Sequence, residues 1–165
     1  MDRKPATILR SSEIEARARW YTQGLNPHSR FRGTELASSG GLERSGVSIA
    51  FLPPGKDSFA YHAHDSQEEW MYVVRGRAVA LVDGVEHDLG PGDFIAFPAP
   101  QVPHLLCNRG NEDAVYLMGG ERTDADVITF PHRGFERYLV RHEEGRAAFY
   151  RLGTPEFPFG YGDKT

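Results

Sequence analysis

The stretch from residue 55 to residue 76, GKDSFAYHAHDSQEEWMYVVRG, decides how this chain is interpreted. It places His62 and His64 two residues apart, and Glu69 opens the apolar run that follows them. Residues i and i+2 of a strand share one face, so two imidazoles at this spacing converge on one point. The segment therefore predicts a strand that presents two histidines and a second strand that begins with a carboxylate.

A third histidine completes a possible ligand set. His104 lies 40 residues after His64 and opens another apolar run. Three imidazoles and one carboxylate suit a divalent transition metal: Fe, Mn, Co, Ni, Cu or Zn. The set contains no cysteine, which argues against a structural zinc site. An H-x-H pair alone is equally consistent with two idle surface histidines, so the metal interpretation depends on the spacing to Glu69 and His104.

Short strands and tight turns surround this segment. Asp83-Gly84 between two apolar runs predicts a two-residue hairpin of type I′, because glycine tolerates positive φ. Strands that recur about every ten residues with tight turns between them predict an all-β sandwich or barrel. The predicted strands of the core cover residues 47–51, 59–64, 70–74, 78–82, 94–97, 104–107 and 114–118.

The two ends of the chain differ from this core. Residues 1–45 predict an N-terminal extension with a short helix from Ser12 through Trp20 and a polar loop at 33–46. Residues 46–125 form the predicted barrel. Residues 126–165 form a C-terminal extension in which apolar runs at 138–140 and 147–152 flank a Glu-Glu-Gly turn and predict a hairpin; the aromatic stretch 157–161 is expected to lie against the barrel or a partner subunit.

Composition limits the classes of function. The chain has 165 residues, 18 glycines, 11 prolines and a net charge of −4, which fits one turn-rich globular domain. Its arginines are scattered among acids, so we expect no nucleic-acid partner. No apolar stretch is long enough to predict a membrane span. One cysteine, Cys107, excludes an intrachain disulfide, and the chain starts without an apolar leader, so we expect a cytoplasmic protein.

Five residues of the opening stretch carry a family resemblance. Gly55, His62, His64, Glu69 and Gly76 resemble the first conserved motif of the cupin superfamily, G-x5-H-x-H-x3,4-E-x6-G. This chain has six residues, rather than five, between the first glycine and the first histidine. The departure lies in a predicted loop and leaves the order of the ligands unchanged.

A second stretch, GDFIAFPAPQVPHLLCN at residues 92–108, resembles the second cupin motif, G-x5-P-x-G-x2-H-x3-N. Gly92, Pro98, His104 and Asn108 fill motif positions. Pro100 replaces the family's glycine, and one extra residue precedes the histidine. Together the two motifs extend the resemblance over residues 46–122. The flanking sequence, which includes LMGGERTDADVITFP, is similar to that of a little-characterised group of small single-domain bacterial cupins.

The resemblance implies a fold, a cofactor and an assembly. The family's fold is a double-stranded β-helix, a jelly-roll barrel, which here would carry the N- and C-terminal extensions. The family's metal lies at the centre of the barrel, and many members are homodimers. The ligands implied for this chain are His62, His64, Glu69 and His104.

Neighbouring residues leave alternatives open. Glu68 rivals Glu69 as the carboxylate ligand, although the spacing to Gly76 favours Glu69. Met71 and Val73 share the parity of Glu69 and are candidates for the cavity wall, whereas Trp70 and Tyr72 have the opposite parity. Phe94, Phe97 and Tyr116 are expected in the core. The candidates for an acid, a base or a substrate clamp are His87 and Gln101.

Three functions are consistent with these residues. The first is a metal-dependent enzyme acting on a small-molecule metabolite, with dioxygenase-like or isomerase- and lyase-like chemistry. The second is a non-catalytic module that binds or senses a small molecule. The third, a structural barrel with a vestigial metal site, is disfavoured because all four ligand positions are filled.

Overall fold

Strands make up most of the chain that the computed structural model describes, residues 6–143 and 146–153. A short helix, α1 (Ser11–Arg17), precedes the first strand, and a second short helix, α2 (Leu36–Ser39), and a 3₁₀ turn at Pro131–Arg133 lie between strands. The strands are β1 (Arg19–Gln23), β2 (Asn26–Glu35), β3 (Ser45–Leu52), β4 (Ala63–His64), β5 (Glu69–Arg75), β6 (Ala78–Val82), β7 (Val85–Leu89), β8 (Phe94–Phe97), β9 (His104–Cys107), β10 (Ala114–Glu121), β11 (Ala125–Phe130), β12 (Glu136–Glu143) and β13 (Arg146–Leu152).

One wall of the fold is a six-stranded antiparallel sheet with the order β1-β2-β3-β10-β5-β8. Its register places Glu69 on β5 between Gly120 on β10 and Phe97 on β8. Side chains alternate between the two faces of a strand, so Glu69 shares the inner face with Met71 and Val73, which are both buried. The sheet therefore aims the carboxylate at the interior.

Two smaller sheets provide the opposite wall. One has the order β7-β6-β9, and the other has the order β13-β12-β11-β4. The hairpin between β6 and β7 turns at Asp83 (φ 48°) and Gly84 (φ 78°), which confirms the predicted type I′ turn. The all-β prediction is confirmed: antiparallel sheets enclose one interior.

The interior is filled by apolar side chains from both walls. Tyr116, Leu52 and Leu106 are fully buried there. Burial of aliphatic and aromatic side chains is the main term that stabilises such a barrel, at about 1.5–3 kcal/mol for each large side chain. The buried core cluster comprises Phe31, Ala50, Leu52, Met71, Val73, Ala78, Ala80, Leu89, Phe97, Leu106, Ala114 and Tyr116.

The parity prediction for β5 is confirmed, and one core prediction is wrong. Tyr72 is exposed on the outer face, as expected. Phe94, which was expected in the core, is 60% exposed. The reason is register: Phe94 lies opposite Tyr72, so both side chains point outward, while Phe97 points inward opposite Glu69.

The N-terminal residues form more strand than the sequence predicts. Helix α1 ends at Arg17, and Trp20 lies in β1 rather than in the helix. The expected loop at 33–46 is shorter, because Gly33 continues β2 opposite Ala50 of β3. A Cβ atom at Gly33 would lie 2.8 Å from the carbonyl oxygen of Ile49, so glycine permits this close pairing of strands.

The C-terminal hairpin is confirmed as β12 and β13. The strand before it, β11, was not predicted, and it pairs with β4. The predicted strand at 59–64 is reduced to Ala63–His64, with a single bridge at His62. The aromatic stretch 157–161 lies outside the described residues. Among the described residues, we find no helix with the length and apolar character needed to cross a membrane.

Candidate metal centre

Three histidines meet where the two walls face each other. His62 forms a bridge to His104, the first residue of β9, through backbone hydrogen bonds of 3.2 and 2.8 Å. His64 lies on β4 opposite Ile128 of β11. The i, i+2 spacing brings the rings of His62 and His64 to a centroid distance of 4.9 Å, and the bridge brings His104 to 4.7 Å from His62. The structure thus clusters the three predicted histidines.

Each ring is held through its Nδ1 atom. His62 Nδ1 donates to the carbonyl oxygen of Ala60 at 2.8 Å, and His104 Nδ1 donates to that of Val102 at 3.0 Å. His64 Nδ1 donates to the carboxylate of Asp126 at 2.6 Å. Carbonyl and carboxylate oxygens only accept, so the hydrogen lies on Nδ1 in all three rings. Hydrogen bonds of this kind set the tautomer and ring orientation that metal-ligating histidines use.

The Nε2 atoms of the three rings surround one carboxylate oxygen. Glu69 Oε2 lies 3.1 Å from His104 Nε2, 3.2 Å from His64 Nε2 and 3.9 Å from His62 Nε2. His62, His64 and His104 are buried, and Glu69 is half-buried. The geometry gathers three imidazole nitrogens and one carboxylate in a single pocket.

Burial and mutual electrostatic contacts shift the pKa values of the residues in this cluster. Burial lowers the pKa of His62 to about 3, and positive charge on His104 or His64 lowers it further. Burial alone would raise the pKa of Glu69, but the hydrogen bond with His104 and the close contact with His64 hold it well below its usual range. Glu69 is therefore a carboxylate, and His62 is a neutral imidazole with a free Nε2 lone pair.

His64 responds differently because it contacts two carboxylates. Burial would lower its pKa, but the hydrogen bond to Asp126 and the contact with Glu69 raise it to about 9. Burial would raise the pKa of Asp126, but hydrogen bonds from His64 and Ser66 lower it to about 2. Without a metal, His64 and Asp126 form a buried, charged pair.

The residues fit a divalent transition metal. His62, Glu69 and His104 each offer a ligand atom, and these atoms lie within 4.8 Å of one another. His64 lies outside that group of three, yet its buried Nε2 has no hydrogen-bond partner, although Glu69 Oε2 is 3.2 Å away. A buried nitrogen without a partner is unfavourable, and a metal ion would satisfy it. Three imidazoles and one carboxylate are a suitable set for Fe, Mn, Co, Ni, Cu or Zn.

Aromatic rings support the cluster on its apolar side. The ring of Phe97 stacks on that of His104 at a centroid distance of 3.7 Å and an angle of 9°. Phe130 and Phe59 flank His62 at 6.2 and 6.1 Å. These contacts restrict the rotation of the imidazoles and exclude water from one side of the pocket.

The other predicted polar residues lie outside this cluster. Glu68 is exposed, whereas Glu69 contacts the histidines, in line with the spacing argument. His87 is exposed on β7 opposite Ala80. The Gln101 side chain is also exposed; it donates to the carboxylate of Asp65 at 2.5 Å, and its backbone N–H donates to the carbonyl oxygen of His64 at 2.7 Å. The structure brings neither His87 nor Gln101 side chain to the imidazoles.

Asp126 is the residue of the site that the sequence analysis did not predict. It lies on β11, in the segment assigned to a C-terminal extension, 62 residues after His64. The signal available in the sequence was chemical: a ligating histidine usually donates its second ring N–H to a carboxylate or a carbonyl. Because β11 itself was not predicted, nothing pointed to this particular carboxylate.

A groove leads away from Glu69 along the inner face of the six-stranded sheet. The part next to Glu69, about 170 Å³, is also lined by Gln67, Trp70 and Met71. The part further along, about 210 Å³, is lined by residues that include Tyr21 and Phe31. The two parts share Ser48, Phe59 and Met118. Glu69 is the member of the metal-ligand cluster that lines the groove, so a ligand in the groove would have one end at Glu69.

Comparison with known proteins defines the class. The family model of the cupin domain, Cupin_2, matches residues 48–120. A structure of a sugar phosphate isomerase from a cupin superfamily, from Silicibacter pomeroyi, is 30% identical with a TM-score of 0.74 over 92% of this chain and 98% of its own. A candidate sugar phosphate isomerase from Acidithiobacillus ferrooxidans is also 30% identical, with a TM-score of 0.78 over 87% of this chain and 90% of its own. The chain therefore belongs to the cupin superfamily.

Two further matches are lower in identity or shorter, and the first of them, a structure, supports the fold alone. A predicted oxalate decarboxylase from Thermotoga maritima is 20% identical, with a TM-score of 0.59 over 71% of this chain and 100% of its own. An uncharacterised protein from Methanocaldococcus jannaschii is 32% identical over 71 residues, which are 43% of this chain. The match spans 54% of that relative's length. The double-stranded β-helix expected from the two motifs is confirmed by the cupin structures that this chain matches.

Proposed function

We propose that this chain is a metal-dependent cupin enzyme that acts on a small-molecule metabolite by isomerase- or lyase-type chemistry. The observation that carries the proposal is the arrangement of the rings: every Nδ1 atom is anchored, and every Nε2 atom faces Glu69. Residues His62, His64, Glu69 and His104 would hold the metal.

A bound divalent metal would supply Lewis-acid chemistry, which polarises a carbonyl or hydroxyl oxygen of the substrate. The residues of the chain have separate roles around it. Ala60, Val102 and Asp126 orient the rings through Nδ1. Phe97 and Phe59 exclude water from the apolar side, which strengthens electrostatic interactions in the pocket.

Isomerase chemistry is favoured over dioxygenation by the two 30% identical structures, which are both described as sugar phosphate isomerases, one of them as a candidate. Dioxygenase-like chemistry is the second enzymatic candidate, because the same ligand set suits Fe or Cu. A non-catalytic binding or sensing module is the alternative of a different class. It gains support from His87 and Gln101, whose side chains lie outside the cluster and therefore supply no acid or base there.

The test is metal content by elemental analysis. We expect wild-type protein reconstituted with Mn²⁺, Zn²⁺, Ni²⁺ or Co²⁺ to retain about one ion per chain after gel filtration, and H62A and H104A to retain little. The matched pair E69Q and E68Q separates the two neighbouring carboxylates, since only Glu69 faces the histidines. Full occupancy in H104A would refute the ligand assignment. A metal-loaded protein that isomerises no carbonyl compound would favour the binding module.

We further propose a cytoplasmic homodimer with residues 46–125 as the catalytic barrel. The outer face of the six-stranded sheet exposes Tyr72 and Val74 on β5 and Phe94 opposite Tyr72 on β8. A contiguous apolar patch of this kind is typical of an interface between subunits. Sedimentation analysis tests the assembly: we expect a dimer for wild type and a shift towards monomer for F94D. A wild-type monomer at micromolar concentration would contradict this part of the proposal.

A further inference from the structure

We infer that the ligand of this groove is an unphosphorylated compound that presents metal-binding oxygens at one end and an apolar body at the other. The inference rests on the proposed metal function and adds the class of ligand to it. The two parts of the groove are continuous, because they share Ser48, Phe59 and Met118. A ligand anchored beside Glu69 therefore extends past these three side chains.

The lining of the groove is mainly apolar. Phe59 lies at its middle, where its ring packs edge-on against Phe31 at 5.1 Å and against His62 at 6.1 Å. Met118 and Met71 face each other across β10 and β5 on the same inner surface. Methionine and aromatic side chains favour a flat or flexible apolar ligand.

The charged side chains that line the groove are acidic. Among the described residues, those charges belong to Glu69 and Glu35, and no lysine or arginine contributes to either part of the lining. Once Glu69 is engaged by the metal, Glu35 is the charge that remains. A phosphate group in this groove would therefore face an acid and several apolar side chains, with no cationic side chain in the lining.

Three arginines lie close to the groove without lining it. The guanidinium of Arg122 lies 3.8 Å from the carboxylate of Glu35 and donates to the hydroxyl of Ser38 at 2.6 Å, so it is already paired at the rim. Arg17 and Arg19 line a separate depression, which meets the groove at Tyr21, Thr34 and Glu35. Arg19 lies on β1, four strands from Glu69 on β5. At the usual spacing between strands this is roughly 19 Å along the sheet. A short sugar phosphate bound at the histidines would not extend that far.

On the opposite wall, Arg137 of β12 lies outside the lining of the groove, and one of its terminal nitrogens is paired with Asp65. Its guanidinium donates to the carboxylate of Asp65 at 2.7 Å. Burying a phosphate dianion without a cation is strongly unfavourable, because its hydration is lost and not replaced. The lining therefore selects against phosphorylated sugars and in favour of an apolar body attached to the chelating oxygens.

Two hydroxyketones that share the same metal-binding oxygens test this selection. 2-Hydroxyacetophenone carries a phenyl ring, and dihydroxyacetone phosphate carries a phosphate. We would titrate each into the full chain loaded with Co²⁺, follow the visible absorption of the metal, and confirm the affinities by calorimetry. The expected result is at least tenfold tighter binding of 2-hydroxyacetophenone, with a spectral change that acetophenone, which lacks the hydroxyl group, does not produce.

A variant that adds a cation to the groove gives a second test, independent of the comparison between the two ligands. Ser48 lines both parts of the groove on β3, so S48R introduces the missing cation there. Ser45 lies on the same strand at the opposite parity, and S45R serves as the matched control. We expect S48R to bind dihydroxyacetone phosphate at least tenfold more tightly than wild type does, and S45R to match wild type.

The results of these titrations separate the inferred ligand class from the proposed metal function. Tighter binding of dihydroxyacetone phosphate by wild type, or no binding of 2-hydroxyacetophenone by protein that contains one Co²⁺ per chain, overturns the inferred ligand class and leaves the metal site intact. Protein that takes up no Co²⁺ overturns the proposed function and the inferred ligand class with it. If S48R fails to fold, as circular dichroism would show, the wild-type ratio decides alone.

Discussion

His64 lies between two carboxylates that come from different regions of the chain. Glu69 is five residues away, inside the motif that defines the family, and approaches Nε2 at 3.2 Å. Asp126 is 62 residues away, beyond the segment that the family model matches, and holds Nδ1 at 2.6 Å. The motif thus supplies the atoms that would bind a metal, while a strand outside it determines how one of the rings is oriented.

The two carboxylates, Glu69 and Asp126, also differ in burial. Glu69 is half-buried at the end of the groove, whereas Asp126 is 6% exposed and is held by Ser66 through both its backbone N–H and its hydroxyl. A group at the groove can exchange partners when a ligand or metal arrives. A group held on both oxygens behind the ring cannot, so we assign Asp126 a positioning role rather than a ligating one.

The largest expected effect comes from removing the charge of Glu69, the carboxylate at the groove. E69Q keeps the size of the side chain but removes the charge that faces three imidazoles. We expect its affinity for Zn²⁺ or Mn²⁺ to fall more than about 100-fold, beyond the range usual for outer residues. Competition with a chelating dye measures the change. E68Q is the control and should lie within about twofold of wild type; an equal loss in both variants would mean that the carboxylates are not distinguished.

Weakening Asp126, the carboxylate behind the His64 ring, should have a smaller effect. D126N preserves the shape of the side chain but weakens the acceptor for His64 Nδ1–H. We expect a loss of about 10- to 100-fold in metal affinity, the range observed for outer-sphere partners of histidine ligands. The same dye competition measures it. The control, S66A, removes one hydrogen bond to Asp126 and should cost much less; D126N with wild-type affinity would refute the positioning role.

The smallest of the three effects concerns the metal-free protein. The pKa of Asp126 is lowered to about 2, so its stabilisation is present above its usual pKa and is lost as the pH falls towards 2. The pKa of His64 is raised to about 9, so its stabilisation is present below its usual pKa and is lost as the pH rises towards 9. Between about pH 4 and 6.5 the pair contributes fully.

Urea denaturation in the presence of a chelator checks this pH window. We expect D126N to lower the free energy of unfolding by about 2 kcal/mol at pH 5, the scale of a hydrogen bond to a charged group. The difference from wild type should shrink as the pH approaches 9. A difference that is constant from pH 5 to pH 9 would show that the pair is not charged in the metal-free state.

This contrast explains how much the sequence alone can predict. Spacing within a strand is local, so His62, His64 and Glu69 could be assigned to one pocket, and His104 followed from the second motif. Turn chemistry is local too, which is why Asp83-Gly84 was predicted correctly. These features depend on neighbouring residues and on the alternation of side chains along a strand.

Features that depend on long-range pairing were not predictable in the same way. The position of Asp126 requires the pairing of β11 with β4, and the path of the N-terminal residues requires β2 to pair with β3. Phe94 is exposed because of its register with Tyr72, which hydrophobicity alone does not reveal. Register and sheet order follow from contacts between distant segments, so composition and periodicity constrain them weakly.

The most direct test of the account is a count of imidazole ligands. X-ray absorption at the metal K-edge of the Zn²⁺- or Mn²⁺-loaded protein reports how many histidines bind the ion. We expect three imidazoles and one carboxylate in wild type, and two imidazoles in H64A. A first shell without three imidazoles in wild type, or an unchanged count in H64A, would contradict the central claim that His62, His64, Glu69 and His104 form one metal centre.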